Sequence, residues 1–400
     1  MKKIGFVIPW YGENIPGGTE SACRNLANRL ANRGERVEVL TTCVKEFHSD
    51  WNVNYHKPGV QEINAVTVKR FKVRKRDTNK FNEINARLMA NRPVSYEEEK
   101  IYLEEMVNSP SLMDYISENK EEYKAFIFTP YMFGTTYYGV QRAFEKAILF
   151  PAFHDEIYAY FQSYKGVYSK VRGIVFNSDA EKEWAEKHYD LSSVRTKVIG
   201  LGVENFSSDS ESFRKKYGIM HPFILYAGRK DQGKNVHQLI DFFSKYISEK
   251  NNRELKLVLI GGGSIGIPSQ SSDQIIDLGF VDEQDKFNAY SAASLFCNPS
   301  LFESFSIVLM ESWLAGTPVL VNEKCEVTKR FAEISNGGLY FSDYYEFSSC
   351  LDVFFQNKRI KEELGKNGQN FVKSRFTWER VLDNYLSFIE ECCGREVNYE

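Results

Sequence analysis

Several features that would assign a protein to a class at once are missing from this 400-residue sequence. No apolar run reaches the about 18 residues that a membrane-spanning helix needs. The formal net charge is only −3, so no overall charge attracts nucleic acid. The seven cysteines are scattered without a C-x-x-C pair, a distribution typical of reduced thiols. The short apolar run at the start is typical of a strand rather than a signal peptide, so we expect a cytoplasmic protein.

Short apolar runs alternate with amphipathic helical patterns along almost the whole chain. The first run, KIGFVIPW, is typical of a buried strand, and TESACRNLANRLANRG repeats its apolar residues at helical spacing. The run RVEVLTT predicts the next strand. This strand–helix–strand order favours a parallel α/β fold with right-handed crossovers.

The length and the spacing of these patterns predict two domains of about 150–200 residues each. We place the boundary in VIGLGVENF, where glycines interrupt an apolar run and serines follow. The first domain is then residues 1–200, with a helical, tyrosine-rich insertion at about 78–123. The second domain is residues 201–375. The last helix, within residues 376–400, is long enough to leave the second domain.

Ligand sites in open parallel sheets lie at the carboxyl ends of the strands, so the residues after each strand are the candidates. In the first domain, Gly17 and Gly18 precede a helix whose free N–H groups suit an anion. An ordinary turn with Thr19 as the helix cap is the alternative. His154 follows the predicted strand AILFPAF and could hydrogen-bond a substrate hydroxyl, although a lone histidine is more often structural.

In the second domain, the segment RKDQGKN follows the predicted strand FILYAG. Arg229 and Lys234 lie on this short turn, where two cations can neutralise a diphosphate leaving group as its charge develops. The alternative is a solvated surface turn, which is the usual place for such charges.

The glycines of GGGSIG, after the predicted strand LKLVLI, match the dinucleotide pattern G-x-G-x-x-G. That pattern requires a helix directly after it, whereas Pro268 and three serines follow here. We therefore reject nicotinamide binding. The glycines can still allow this loop to approach a ligand closely.

Glu303 and Glu311 follow the predicted strand SLFCNPS and lie eight residues apart in the apolar stretch LFESFSIVLMESWLAGTPVLV. Glu303 should lie in the strand-to-helix loop or the first helical turn, and Glu311 two turns further on roughly the same face. The two acids could then contact two hydroxyl-bearing parts of one ligand. The alternative is that Glu303 caps the helix and Glu311 is paired in the interior.

Taken in order, these segments resemble family 4 of the retaining glycosyltransferases, and the resemblance covers nearly the whole chain. PGGTE is similar to the family's first glycine-rich loop, and GRKDQGKN to its G-R-x-x-x-x-K-N region. DLGFVDEQDKFNAYSAASLFCNPSLFESFSIVLMESWLAGTPVL resembles its most diagnostic block, and FTWERVLDNY its last helix. The resemblance implies the GT-B fold, in which two Rossmann-like domains face a cleft and the C-terminal helix crosses back to the first domain.

The resemblance also implies roles for these residues. Arg229 and Lys234 would hold the diphosphate of a nucleotide-sugar donor, Glu303 its sugar, and Glu311 its ribose hydroxyls. His154 would face the donor sugar. The candidate catalytic residues are therefore Arg229, Lys234, Glu303 and His154. The candidate donor-binding residues are Gly17, Gly18, Gly228, Ser304, Phe305, Ser306 and Glu311. Glycines are frequent in the family where this chain has Ser304 and Ser306, so side-chain bulk there can alter which sugar fits.

The mechanism usually proposed for such enzymes is front-face displacement with retention, which requires no protein nucleophile. The chain has no D-x-D motif, the carboxylate pair with which other transferases bind a metal–diphosphate. We therefore expect neither a metal nor a cofactor, with the nucleotide sugar as co-substrate. The implied function is hexosyl transfer to a glycan or lipid-linked acceptor in surface polysaccharide or glycoconjugate synthesis. An epimerase of the same fold and a non-catalytic sugar-binding protein are the alternatives.

The acceptor should bind to the first domain, because the donor occupies the second. Aromatic rings stack on sugar rings, and six of them follow the first strand and the strand AFIF. These candidates are Trp10, Tyr11, Tyr131, Phe133, Tyr137 and Tyr138. Core packing is the alternative for each. The basic run KRFKVRKR, residues 69–76, could place several cations on one exposed strand face, where the inner membrane surface or a lipid-diphosphate acceptor could lie, or it could form a merely solvated face.

Overall fold

A computed structural model of the protein describes residues 2–394 and divides the chain into two structural units. The first unit, here called the first domain, runs to Gly200 and includes the chain again from Leu382 onward. The second unit, the second domain, is Leu201–Val381. Each contains one sheet with helices packed on it, so the predicted two-domain α/β architecture is confirmed.

The first domain is built on an eight-stranded sheet. Its strands are β1 Lys3–Val7, β2 Val37–Thr42, β3 Gly59–Ile63, β4 Val66–Phe71, β5 Tyr123–Phe128, β6 Ala147–Leu149, β7 Gly173–Phe176 and β8 Arg195–Val198. Their order is β3-β4-β2-β1-β5-β6-β7-β8, and only the β3–β4 pair is antiparallel. β3 and β8 were not predicted from the sequence, because neither of these outer strands has a buried apolar run to mark it.

Seven helices lie between these strands: α1 Gly18–Asn32, α2 Thr78–Met89, α3 Tyr96–Glu104, α4 Pro110–Asn119, α5 Gly134–Val140, α6 Gln162–Tyr168 and α7 Asp179–His188. The apolar face expected for α1 is buried, with Leu26 and Leu30 at its centre. The charged segment after β4 forms α2 to α4. The N-caps of these three helices are Asp77, Ser95 and Ser109. Each of these side chains accepts at least one hydrogen bond from a backbone N–H group of the first turn.

The second domain has a six-stranded parallel sheet. Its strands are β9 Phe223–Ala227, β10 Lys256–Ile260, β11 Ile275–Gly279, β12 Leu295–Asn298, β13 Val319–Asn322 and β14 Gly338–Phe341, in the order β11-β10-β9-β12-β13-β14. The four inner strands consist almost entirely of buried residues, as expected for a parallel sheet covered on both faces.

The helices of this half are α8 Ser210–Tyr217, α9 Val236–Glu249, α10 Glu283–Ala292, α11 Ile307–Leu314, α12 Glu326–Ser335, α13 Tyr344–Gln356, α14 Lys358–Arg375 and α15 Trp378–Cys393. The domain boundary falls within α15, after Val381. Beyond it, Phe388 and Cys392 pack on β7 where Gly173 has no side chain; a Cβ there would lie 2.6 Å from the Cys392 sulfur. The C-terminal helix thus returns to the first domain, as the fold class predicts.

The strand order of each sheet reverses at one point. In the second domain, β9 and β12 are neighbours, and the chain continues outward from them in opposite directions. The corresponding pair in the first domain is β1 and β5. Ligands of such sheets bind at the carboxyl ends of the strands beside this reversal. Candidate ligand sites therefore lie in the loops after β9, β10 and β12 and in those after β1, β5 and β6. Among residues 2–394, no helix has both the length and the apolar character needed to cross a membrane.

Candidate active site

The turn after β9 is held against the loop after β10 by their backbones. The Gly228 N–H donates to the Ile260 carbonyl at 2.9 Å. A Cβ on Gly261 would lie 2.2 Å from the Gly228 carbonyl oxygen, so only glycine permits this approach. The glycine-rich segment is followed by a short 3₁₀ turn and β11 rather than by a long helix. The loop that the sequence predicted after these glycines, in place of a helix, is therefore confirmed.

Two adjacent cations of the turn after β9, Arg229 and Lys230, differ in burial. The Arg229 side chain is 72% exposed, and its guanidinium lies 3.3 Å from the carboxylate of Asp231. The Lys230 side chain is fully buried, with its ammonium 2.9 Å from Asp277 and its backbone N–H donating to the Gly262 carbonyl at 2.8 Å. Lys230 therefore joins this turn to β11 and to the glycine loop. This role was not predicted from the sequence, because Lys230 differs from its charged neighbours only in the direction of its side chain.

Lys234 and Glu303 form the centre of the candidate site. The Lys234 ammonium donates to Glu303 Oε1 at 2.7 Å, and both side chains are mostly buried. Asn298, the last residue of β12, lies beside them, with its amide nitrogen 3.5 Å from the same carboxylate oxygen. Lys234 and Glu303 were predicted from the sequence, whereas Asn298 was not. The loops after β9 and β12 thus bring a cation, an acid and an amide together where the strand order reverses.

The loop after β12 enters α11 through an unusual backbone conformation. Ser306 immediately precedes the helix with φ of 65°, a value that favours glycine, and its hydroxyl accepts a hydrogen bond from Asn298 at 2.8 Å. The Phe305 side chain is 1% exposed and belongs to the core, so only its backbone could contact a ligand. Ser304 is partly exposed. Free N–H groups in the first turn of α11 and a positive dipole end lie next to this loop.

Glu311 lies inside α11, whereas Glu303 precedes that helix. The expected position of Glu303 in the strand-to-helix loop is therefore confirmed, whereas the expectation that the two acids share a helix face is wrong, because the helix begins at Ile307. Glu311 is 8% exposed and accepts hydrogen bonds from the Lys286 ammonium at 2.8 Å and the Tyr290 hydroxyl at 3.0 Å. Burial raises the pKa of the Glu311 carboxyl, and the Lys286 charge opposes that effect. Neither partner carried a sequence signal, since α10 supplies both from a distant position.

In the first domain, Gly17 and Gly18 are exposed at the start of α1, as predicted. Gly17 has φ of 132°, and a Cβ on it would lie 2.0 Å from a carboxylate oxygen of Glu20. The other Glu20 oxygen accepts from the Trp10 indole N–H at 2.8 Å. Thr19 does not cap this helix. The helix start thus already has an acid beside it, while the space around Gly18 is open.

His154 lies in the loop after β6, as predicted. Its Nδ1 is 3.8 Å from Glu156 Oε1, and the two side chains are about one-third exposed. The Tyr131 hydroxyl donates to the same oxygen at 2.9 Å. His154 therefore lies next to an acid whose other contact is a core tyrosine.

The aromatic residues predicted to contact the acceptor are mostly core residues. Trp10, Tyr11, Tyr131 and Phe133 are 0–3% exposed, so their rings cannot stack on a sugar in this conformation. The prediction is wrong for these four, because the loops after β1 and β5 fold inward over the sheet. The remaining two, Tyr137 and Tyr138, are half-buried at the margin of the same core and remain candidates.

The exposed cationic strand predicted for residues 69–76 does not form. β4 ends at Phe71, and the Arg70 side chain is buried and donates to backbone carbonyl groups. Lys69 and Arg74 form ion pairs with carboxylates of the same domain at 3.1 and 3.0 Å. The prediction of a single exposed basic face is therefore wrong.

No group of three or more His, Cys, Asp or Glu side chains positioned to hold a metal ion occurs between residues 2 and 394. The charges of the second-domain site are instead those of the loops after β9 and β12.

Comparison with known proteins gives matches in sequence and in structure. Residues 221–349 match the family described as glycosyl transferases group 1. The capsular polysaccharide biosynthesis glycosyltransferase CapM of Staphylococcus aureus is 24% identical over 217 residues, which are 49% of this chain and 55% of CapM. A D-inositol 3-phosphate glycosyltransferase of Corynebacterium kroppenstedtii is 25% identical over 51% of this chain and 50% of its own length. The chain thus spans little more than half the length of the curated relatives it matches.

Similarity of fold extends over nearly all of the chain. Sucrose-phosphate synthase of Thermosynechococcus elongatus superimposes with a TM-score of 0.70 at 16% identity, covering 98% of this chain and 99% of that one. HepE of Anabaena, solved with UDP and glucose, gives a TM-score of 0.66 at 16% identity, covering 98% and 100%. The two parallel-sheet domains and the C-terminal helix are those of the GT-B fold, which confirms the predicted fold class.

Proposed function

We propose that the chain is a retaining hexosyltransferase of the group 1 glycosyltransferases, the family that residues 221–349 match. The donor is a nucleotide-diphosphate sugar, and the acceptor is a glycan or lipid-linked sugar of a surface polysaccharide or glycoconjugate. The name of CapM and the UDP complex of HepE support the acceptor class and the donor class, respectively. We further propose that the reaction takes place in the cytoplasm, with peripheral contact to the membrane where the acceptor is lipid-linked.

The observation that carries this proposal is the ion pair between Lys234 and Glu303. The Lys234 ammonium and the Glu303 carboxylate are 2.7 Å apart, so each satisfies the other. A diphosphate is a stronger partner for the ammonium than a single carboxylate, since it offers more charge and more acceptor oxygens. Donor binding would therefore draw Lys234 to the diphosphate and free Glu303 to accept hydrogen bonds from sugar hydroxyls. The pair is thus suited to bind the two halves of a sugar diphosphate at once.

Arg229 supplies a second positive charge next to Lys234. Its side chain is exposed, and its ion pair with Asp231 is at the surface, where such pairs contribute little. The guanidinium is therefore free to turn toward an arriving diphosphate. Two cations on one turn stabilise the charge that develops on the leaving group, and stabilisation of this kind often contributes more to catalysis than any other effect.

Glu311 is proposed to bind the ribose. An ionised carboxylate offers about four acceptor positions, and Lys286 and Tyr290 use one on each oxygen. The remaining positions can accept two neighbouring hydroxyl groups, as a ribose presents. Burial raises the pKa of this carboxyl, and the charge of Lys286 opposes that rise.

In the proposed reaction, the acceptor hydroxyl attacks the anomeric carbon from the face that the diphosphate leaves. The acceptor's proton passes to the departing phosphate oxygen, and the anomeric configuration is retained. No residue of the chain forms a covalent intermediate. Arg229 and Lys234 stabilise the leaving diphosphate, Glu303 orients the donor sugar, and His154, by the family resemblance, contacts a hydroxyl of that sugar.

The test uses the full chain with a panel of nucleotide sugars, beginning with UDP-glucose. Thermal shifts identify the nucleotide, and release of nucleoside diphosphate with and without added glycans measures donor cleavage and transfer. We expect slow donor hydrolysis without acceptor, and a glycoside with the donor's anomeric configuration once an acceptor is found. An altered free sugar nucleotide would indicate an epimerase instead. Binding of nucleotide sugars without any turnover would indicate a sugar-binding protein.

A further inference from the structure

Glu181 is a buried acid to which the proposed reaction assigns no role. It is the third residue of α7, whose start is capped by the Ser178 hydroxyl accepting from the Glu181 N–H at 3.1 Å. The Glu181 residue is 3% exposed. A carboxyl buried in this way is costly unless its oxygens are hydrogen-bonded.

Both carboxylate oxygens of Glu181 are used to join two neighbouring strand ends. Oε1 accepts from the Phe153 N–H, in the loop after β6, at 2.7 Å. Oε2 accepts from the Asn177 N–H, directly after β7, also at 2.7 Å. β6 and β7 are adjacent and parallel, so Glu181 links the loops at their carboxyl ends. One of these loops carries His154.

The loop after β6 has a strained backbone at the residue before this contact. Ala152 has φ of 55°, a left-handed conformation in which an alanine Cβ crowds the backbone. Such conformations persist only where the surroundings impose them, and they concentrate at functional sites. The Phe153 ring packs on Tyr131 at 4.8 Å, and its N–H is held by Glu181. The chain therefore enters His154 in a direction that Glu181 helps to fix.

We propose that Glu181 is a positioning residue that holds the loop after β6, and with it His154, in the conformation needed for transfer. Glu181 touches no substrate in this proposal and acts through the backbone of Phe153. The proposal rests on the proposed function only for the role of His154. The hydrogen bonds and the loop conformation that it concerns are independent of that role.

Ionisation of Glu181 determines how well it can hold the loop. Burial raises the pKa of Glu181 to about 7, while the two backbone hydrogen bonds and the charge of His154 oppose the rise. Burial raises the pKa of Tyr385 in α15, and the charge of Glu181 raises it further, so these two side chains lie close enough to interact. A carboxylate can accept from both N–H groups, whereas a carboxylic acid keeps only one good acceptor oxygen. The loop should therefore be held less firmly as the pH falls below about 7.

The direct test is amide hydrogen exchange of the segment 150–156, expressed as protection factors so that the intrinsic effect of pH is removed. In Glu181→Gln the loss of a charged acceptor should lower the protection of the Phe153 amide about tenfold at pH 8. The matched control is Glu186→Gln, the same change at an exposed site of the same helix, which should leave protection unchanged. The unmodified protein should lose protection between pH 8 and pH 6, and this arm does not depend on the variant folding.

Kinetics separate positioning from a purely structural role. Glu181→Gln should lower kcat with little change in the donor KM. In the unmodified protein kcat/KM should rise as the pH increases through about 7, and this rise should be absent from Glu181→Gln. The proposal would be overturned if the Phe153 amide had the same protection in the unmodified protein, Glu181→Gln and Glu186→Gln at both pH 8 and pH 6. Reduced protection with an unchanged kcat and pH profile would also overturn it, since the loop would then be held for stability alone. If no protein transfers sugar but protection changes as expected, the role of Glu181 in holding the loop stands and the proposed function fails.

Discussion

The two domains share one architecture but use the loops at their strand reversals in opposite ways. In the second domain, the loops after β9 and β12 present Lys234 and Glu303, which are 25% and 11% exposed. In the first domain, the loops after β1 and β5 turn Trp10 and Tyr131 inward, at 0% and 1% exposure. The same edge of the same kind of sheet is thus a polar site in one domain and an aromatic core in the other. Strand order indicates where a ligand can bind, and the side chains decide whether one does.

The largest effect that this comparison predicts is on stability in the first domain. Trp10→Ala should lower the free energy of unfolding by about 3–5 kcal/mol, because it removes a fully buried ring. That ring lies 4.9 Å from the Phe133 ring, and its indole N–H bonds Glu20. Chemical denaturation measures the loss. Tyr55→Ala, at a 62% exposed ring in the same domain, should change stability by at most about 0.5 kcal/mol.

A transfer assay of Trp10→Ala distinguishes an acceptor contact from a core residue. If Trp10→Ala kept normal stability and normal donor hydrolysis but lost transfer, the ring would be an acceptor contact, and the distinction between the two domains would disappear.

Tyr137→Ala tests the half-buried margin of the same core. For it we expect transfer to decrease while donor hydrolysis persists.

The second prediction concerns the charges of the second domain. Arg229→Ala and Lys234→Ala should each reduce turnover by roughly two to three orders of magnitude, because each removes a positive charge from the leaving diphosphate. Steady-state rates of nucleotide release measure this. Lys358→Ala, at an 85% exposed lysine of α14, is the matched control and should be normal. A folded Arg229→Ala protein with near-normal turnover would contradict the assignment.

The third prediction separates the two acids. Glu311→Gln should weaken binding of the nucleoside diphosphate by about 1.5–3 kcal/mol, because a charged acceptor for the ribose is lost. Glu303→Gln should affect this binding less and should act mainly on turnover of the intact donor. Calorimetry with UDP on both variants measures the difference, and thermal melts confirm that both remain folded. The reverse order of affinities would exchange the two roles.

Much of the architecture followed from the sequence because buried parallel strands and amphipathic helices have clear periodicities. The strands that lead into the site, β9 and β12, were predicted, and so were the residues that follow them. The outer strands β3 and β8 were not, since neither has a run of buried apolar residues.

The contacts within the site could not be predicted in the same way. Lys234 and Glu303 are 69 positions apart, and only the parallel pairing of distant strands brings them together. Whether a loop residue points outward or inward depends on the whole domain, which is why Lys230 was overlooked and the sequence left both an acceptor contact and core packing open for Trp10. Periodicity identifies helices and strands, but the direction of a loop side chain is set by tertiary packing.

The smallest expected effect is that of a chelator. In enzymes that bind a diphosphate through a metal, the ion supplies the positive charge that the leaving group needs. The loop after β9 carries Arg229 and Lys234 for the same purpose, so removing divalent ions should change turnover by less than about twofold. The measurement is the rate of nucleotide release in excess EDTA and after adding back magnesium or manganese, with Lys234→Ala assayed in parallel. Complete loss in EDTA with recovery on adding the ion would mean that the two side chains do not suffice. A rise in Lys234→Ala activity with added magnesium, without one in the unmodified protein, would show instead that the ion can replace the missing ammonium, which would strengthen the case that positive charge is what this loop contributes.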